Sequence, residues 1–527
     1  MRSLRRTVSF ALALVLAPGV ARADSTRTFE GDVPSGGPDH FFVPFDVPPG
    51  TAEIRVEHDD LSPTNILDFG LEDANGYRGW GGGTEEPIVV NAQAASRAYV
   101  PGPLDRGGMR VVVGKAKVVS SPAKYRIVIT FLDKATLPPD PDRRPYEPGP
   151  ALAVGARYYA GDFHVHSKES TDARPDLDEI ARFARSRGLV FVELSDHNTV
   201  TQLELVSAAR ARNPGFLFVP GIEVTTYQGH GNAIGAQRFV EHKLAPGGAT
   251  IEGTVDAVRA QGAVFGVNHP LLDLGDLCIG CAWKHEVAPE KIGAYEIGTG
   301  GQKEGARLFL DVTLRAWDTL LDRGSRAAPI GGSDDHQAGQ AKGAFASPIG
   351  SPTTLVLADE LSAAAIVEGV KRGRTVVKLQ GPEDPMIELS GERGELPGDE
   401  VAVKSARVRA RVTGGIGHKA RFVTNGVPGP ESEITTDPFE LATVAVAEAG
   451  KRVRVRAEVL VDDKPRTVTS HIFVQLDPAG PEAAELASPE RTGGCTTEGR
   501  APSFGAAPLV LALSALAAAW ARARART

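Results

Sequence analysis

The chain has 527 residues, 42% of them hydrophobic, ample for packed cores and too long for one ordinary domain. Its 58 basic and 66 acidic residues leave a net charge of −8, without the basic face that a nucleic-acid partner requires. Three cysteines exclude a disulfide scaffold.

The first segment reads as an address. Arg2, Arg5 and Arg6 precede the apolar run Val8 to Ala17, and Ala21-Arg22-Ala23 offers small residues for cleavage, so residues 1–23 are expected to be a secretory signal. The Arg5-Arg6 pair fits twin-arginine export poorly. Residues 24–135 then read as an N-terminal β-sandwich. Phe41, Val43 and Phe45 alternate with their neighbours, as do Ile54 and Val56, then Tyr125, Ile127, Ile129 and Phe131. Pro48-Pro49-Gly50 and Asn75-Gly76 punctuate these runs as turns. Residues 136–154 are a Pro-rich linker, extended and fairly stiff.

From residue 155 to 382 short apolar runs alternate with amphipathic stretches. The runs are Leu189 to Leu194, Phe216 to Pro220, Ala263 to Val267, Ala294 to Ile297, Ala328 to Ile330 and Thr375 to Leu379. Helices are predicted over Leu177 to Arg187, Gln202 to Arg212, Ile251 to Gln261, Ala306 to Arg323 and Ser362 to Arg372. Such alternation argues for parallel strands with crossover helices. A closed or distorted (β/α) barrel is preferred over a doubly wound sheet, because histidines follow several different strands. Residues 383–477 return to β alternation, with Val408, Ala410 and Val412 between Arg407, Arg409 and Arg411, and suggest an Ig-like β domain. Those arginines read as a solvated sheet face, since no aromatic residues are interleaved for base stacking. A linker over 478–503 leads to Phe504–Ala521, whose length at about 1.5 Å per residue just spans a hydrocarbon core. With Arg522, Arg524 and Arg526 behind it, the segment 504–527 is expected to be an anchor or sorting signal. It resembles bacterial tails of the MYXO-CTERM type, by which Cys495 in Gly493-Gly494-Cys495 would be the processing point. The protein is therefore expected to be exported and held at the cell envelope.

The chemistry lies in the middle. Eight of the twelve histidines fall between His164 and His336. Side chains at i and i+2 of a strand share a face, so His164 pairs with His166, and Asp334 with His336, leaving Asp335 turned away as a structural residue. Imidazole and carboxylate suit Zn²⁺, Mn²⁺ or Fe²⁺. Glu223 ends an apolar strand, where an unpaired charge would cost several kcal/mol, and is a candidate bridge between two ions. Cys278 and Cys281, with Gly280 between them, read as a short-range disulfide bracing the loop after Asn268-His269-Pro270.

The order His164-Val165-His166, Ser195-Asp196-His197-Asn198, Gly221-Ile222-Glu223-Val224-Thr225-Thr226, Gly229-His230-Gly231-Asn232, Asn268-His269-Pro270 and Gly331-Gly332-Ser333-Asp334-Asp335-His336 resembles the PHP (polymerase and histidinol phosphatase) superfamily of metallohydrolases. Within it the pattern is most similar to the family named after the carbaryl hydrolases CehA and McbA. The resemblance implies a distorted (β/α)7 barrel with two or three divalent ions. One ion would take His164, His166, Glu223 and Asp334; a second would share Glu223 and use His230; a third would use His197, His269 and His336. The resemblance leaves Asp172 displaced by one residue from the usual acidic position. Asp196 would orient His197 or act as the base, and Glu223 and Asp334 would serve catalysis as well as binding.

A metal-bound water, its pKa lowered from about 15.7 to about 7, would then attack a phosphoester. A carbamate or carboxylic ester is the alternative small-molecule substrate. The reading from a different class is a non-catalytic surface protein whose sandwiches bind a partner.

Overall fold

The structure is a computed structural model describing residues 24–104, 108–275, 278–300, 305–342 and 346–483. The expected signal over 1–23, Cys495 and the apolar tail over 504–527 lie outside the described residues. No described helix is long and apolar enough to cross a membrane.

Two four-stranded antiparallel sheets form the N-terminal region. One orders Ser25–Asp32, Lys124–Leu132, Glu53–Asp59 and Ile88–Asn91; the other orders His40–Phe45, Met109–Lys117, Ile66–Asp73 and Gly76–Gly82. Their inward residues merge into one core, with Ile54, Val56, Ile127 and Ile129 from the first sheet meeting Val43, Phe69, Leu71 and Val113 from the second. The period-two alternation puts these side chains on one face of each strand.

The central region begins with the long strand Val154–Val165. Phe191–Leu194 pairs with it in parallel, and Leu217–Val219 pairs in parallel with Phe191–Leu194. On the other side run Thr353–Glu360 and Thr375–Lys378, both antiparallel to their neighbours. A second sheet orders Glu223–Thr226, Gly229–Ile234, Val264–Val267, Ala294–Thr299 and Ala328–Gly332. Its first two junctions are antiparallel and its last two parallel. Helices cover Leu177–Ser186, Val206–Arg212, Ile251–Ala260, Gly305–Asp322 and Ala363–Lys371. Leu177–Ser186 shows why: Asp176 and Glu179 close a capping box, and Leu177, Ile180, Ala181 and Ala184 are buried along one stripe. Gly188, at φ +79°, supplies the left-handed residue beyond its end.

Two features differ from the all-parallel expectation. Tyr227 and Gln228 turn Glu223–Thr226 back into Gly229–Ile234, an antiparallel hairpin that was not among the predicted strands and that stands ahead of the helix Ile251–Ala260. The ladders therefore do not join into a continuous (β/α)7 barrel among the described residues. The two sheets touch instead through isolated bridges, Val165 with Asp335 and His197 with Glu223. The described chain is mostly β.

Beyond residue 382 the ladder continues. Thr375–Lys378 pairs with Lys464–Thr469, which pairs with Val453–Val461 and through it with Lys419–Thr424. Met386–Gly391, Ser405–Thr413 and Phe439–Val446 form a separate three-stranded sheet, and Val408, Ala410 and Val412 share a core with Val455, Ala457 and Val459. Asn425 and Gly426, both at positive φ, make the hairpin turn that their sequence predicts. Arg409 and Arg411 are exposed. Arg454 and Arg456, by contrast, are buried against Asp318 of the helix Gly305–Asp322, at 3.2 and 2.8 Å.

Candidate metal centre

Six strand ends deliver the site. His164 is the penultimate residue of the strand Val154–Val165 with His166 just beyond it; His197 follows Phe191–Leu194; Glu223 opens Glu223–Thr226. His230 lies in Gly229–Ile234, His269 follows Val264–Val267, and Asp334 and His336 follow Ala328–Gly332. A Cβ at Gly332 would collide with that of His164, so glycine is what lets these two strand ends close together.

Glu223 is the hub. Its Oε1 lies 3.2 Å from His164 Nε2, 3.2 Å from His269 Nε2 and 3.4 Å from His230 Nδ1. Its Oε2 lies 2.7 Å from His197 Nδ1 and 3.7 Å from His166 Nε2. Asp334 Oδ1 lies 3.0 Å from His166 Nε2 and 3.3 Å from His164 Nε2. Asp172 Oδ2 stands 3.3 Å from both His197 Nε2 and His336 Nε2. All eight residues expected as ligands thus converge, and Asp172 joins them.

Several of these atoms come close without hydrogen-bonding. His164 Nε2, His166 Nε2, both ring nitrogens of His230 and Glu223 Oε2 are buried with no hydrogen-bond partner. Buried polar atoms are normally paired, so lone pairs that converge unpaired fit a cation. The groups His164–His166–Glu223, His164–His269–Asp334 and His166–His197–His336 each bring ligand atoms within 4.8 Å of one another. Burial opposes the charge on Glu223, yet His164, His197 and His230 around it hold its carboxyl well below the usual range. Burial, with His336 and His197 opposite, pushes His166 down to about 3 and leaves its lone pair free.

Around this cluster lie further polar residues, of which Glu296 and Glu193 fall outside the sequence motifs while Asn268 belongs to one of them. Glu296 Oε2 is 3.0 Å from His164 Nδ1 and aims the opposite nitrogen at Glu223 and Asp334. Asn268 donates to Glu223 Oε1 at 2.8 Å. Burial first, then the nearby Glu223 charge, holds the Glu193 acid well above its usual range despite the lowering effect of His164. Glu193 and Glu296 were visible in one sense: each is an acid inside an apolar strand, the signal that singled out Glu223.

Asp196 is a correction. Its oxygens accept from Ser167 N at 2.8 Å, Ser167 Oγ at 2.9 Å and Ser170 N at 2.9 Å, and no hydrogen bond joins it to the His197 ring. It braces the turn after His166 and does not orient the His197 ring. His197 is oriented by Thr225, whose Oγ1 lies 2.7 Å from its Nδ1.

Asp334 and His336 do face the cluster while Asp335 faces away, but not through strand register. The strand ends at Gly332, and Asp334 has φ +57°. Asn198 and His269 are also at positive φ, so left-handed residues redirect the chain at three strand ends. Asp335 accepts from the backbone of Gln337, Gly339 and Ile349. The sulfurs of Cys278 and Cys281 are bonded to each other in the loop beyond His269.

No protein-family model matches the sequence, and no curated protein matches it. Among solved structures, a two-domain protein from Bacteroides vulgatus, described as containing a predicted PHP-like metal-dependent phosphoesterase, is 20% identical with a TM-score of 0.37, over 62% of this chain and 99% of its own. An amidohydrolase from Chromobacterium violaceum is 16% identical with a TM-score of 0.24, over 36% of this chain and 90% of its own. These likenesses are too distant to speak for the site, which stands on its own side chains.

Proposed function

We propose that the chain is a metal-dependent hydrolase acting on phosphoesters, with its centre built around Glu223. The observation that carries this is the set of six imidazoles and three carboxylates converging from separate strand ends, with buried nitrogens left unpaired. When bound, divalent ions would supply an activated water and stabilise developing negative charge. The chain's own part is positional. Glu223 reaches His164, His269 and His230 with one oxygen and His197 and His166 with the other, so it would be the ligand shared between two ions. His164 and Asp334 take one side, held by Glu296, and His197 and His336 take the other with Asp172. The match of six ordered motifs to the PHP pattern supports phosphoesters, while their likeness to the CehA/McbA branch keeps carbamate and carboxylic esters as the alternative.

The test is metal content and turnover of the full-length protein after loading with Mn²⁺ or Zn²⁺. At least one ion per chain, with hydrolysis of a chromogenic phosphodiester lost in Glu223→Ala, is the expected result. Hydrolysis of a naphthyl carbamate alone would move the substrate to the ester branch, and no bound metal would end the hydrolase reading. The proposal extends to an exported protein, on the strength of the Arg-flanked apolar ends. Recovery of the protein solely in the cytoplasmic fraction would remove that part.

A further inference from the structure

A sulfur sits at the edge of this centre. Cys281 is 1% exposed, and its Sγ lies with one ligand nitrogen each of His230 and His269 in a group whose atoms are all within 4.8 Å. His230 is itself 4% exposed, and both of its ring nitrogens lack a hydrogen-bond partner. A buried imidazole with neither nitrogen satisfied is costly unless something binds it. Glu223 Oε1 lies 3.2 Å from His269 Nε2 and 3.4 Å from His230 Nδ1. One sulfur and two imidazole nitrogens are a donor set that suits Zn²⁺.

The disulfide caps that sulfur, and its two halves sit differently. Cys278 is half-buried beside a cavity of about 230 Å³ lined by Lys117, Asp273, Gly275, Lys284 and both cysteines. Cys281 faces inward. The backbone that holds Cys281 does not depend on the bridge. Its carbonyl oxygen is 3.1 Å from His269 Nδ1, Trp283 N donates to Pro270 O at 3.0 Å, and Lys284 N donates to Gln228 O at 2.7 Å. Opening the bridge would free the sulfur where it stands.

We propose that His230, His269 and Cys281 form a thiolate-containing metal site that the Cys278–Cys281 disulfide closes and a dithiol opens. The proposal rests on the reading of the Glu223 cluster as a metal centre. A thiolate of the dithiol, entering through the cavity, attacks Cys278 Sγ; the S–S bond breaks and Cys281 leaves as a thiolate. The second thiol of the reductant then displaces Cys278, which takes up a proton and becomes a thiol. Two electrons pass to the protein, and the dithiol departs as a cyclic disulfide. Of its two protons one stays on Cys278, and the other is released to solvent while Cys281 remains a thiolate on the cation. In an oxidising compartment the bridge persists, so the thiolate enters the centre only when reductant is present.

Cobalt(II) is the probe, since a thiolate ligand adds a charge-transfer absorption that imidazole and carboxylate do not. Full-length oxidised protein should bind Co²⁺ without that absorption. After treatment with dithiothreitol and its anaerobic removal, the absorption should appear at one thiolate per chain. Cys278→Ser should show it with no reductant, and Cys281→Ser should bind Co²⁺ but never show it. Cobalt bound to both reduced protein and Cys278→Ser without the absorption overturns this proposal and leaves the hydrolase reading standing. An absorption that survives in Cys281→Ser also overturns it. No cobalt bound in any form overturns both readings together.

Discussion

Arg97 donates to the backbone carbonyl of Thr171 at 2.7 Å, and with its other terminal nitrogen to the carbonyls of Lys168 and Ala173 at 3.0 Å each. One guanidinium of the N-terminal sandwich thereby ties down the loop that presents Asp172 to His197 and His336. Glu86 holds the guanidinium at 2.8 Å from its Nε, and Ala98 N donates to Glu169 Oε2 at 3.2 Å beside it. The sandwich is part of the site's framework.

Arg97→Ala should therefore act at a distance. Three carbonyls lose a charged donor, and with water able to replace part of it the expected cost is about 2 kcal/mol in urea unfolding. Metal content should fall at the Asp172 side while the Glu223 pair stays loaded. Arg97→Lys should not restore it, because a single ammonium cannot span three carbonyls as the planar fork does.

Glu296 touches no expected ligand atom except through the far nitrogen of His164. Glu296→Ala should weaken metal binding by about 10–100-fold, the usual consequence of removing the group that orients a ligating imidazole. Competition against a chelating dye reads this directly, and unchanged affinity would show that packing alone fixes the His164 ring.

Asp334 and Asp335 should separate function from stability. Asp335→Ala strands the buried Ile349 donor at about 1–3 kcal/mol and frees the part-buried donors of Gln337 and Gly339 to water, so the fold should lose roughly 2 kcal/mol. Asp334→Ala should lose bound metal and cost the metal-free fold less than Asp335→Ala does. If Asp335→Ala instead empties the centre with its stability intact, the assignment of the two carboxylates is reversed.

The metal-free protein should respond to pH in a defined direction. Burial works against it, but Asp172 and then Asp334 hold the His336 imidazole up at about 9, against a usual 6.5. Its contribution to stability is then complete below about 6.5 and is lost as pH rises through about 9. Metal binding should run the other way, tightening over the same window as the proton ceases to compete. Thermal unfolding from pH 6 to 10, with and without Mn²⁺, should show the two curves diverging as pH rises.

Much of the site was legible in the residues themselves. His164-Val165-His166, Glu223 behind its apolar strand and the cluster ending in His336 declare metal chemistry by residue type and spacing, and all eight named ligands meet. Glu296 was not legible as a partner, because an acid in an apolar strand announces that it must be paired without saying with what. Asp196 misled for the opposite reason: its place beside His197 suggested a shared task, whereas its carboxylate turns to Ser167 and Ser170.

Local rules depend on neighbours a few residues apart, so the helices, most strand runs and the alternation of the sandwich cores follow from the sequence alone. Tertiary structure decided what joins what. It inserted the antiparallel Glu223–Ile234 hairpin into the alternating pattern and carried a ladder from Val376 to Thr469. It also sent Arg97 to the loop bearing Asp172. Those choices depend on long-range hydrogen bonds and on buried charges finding partners far away in the chain. No periodicity over a short window can encode them.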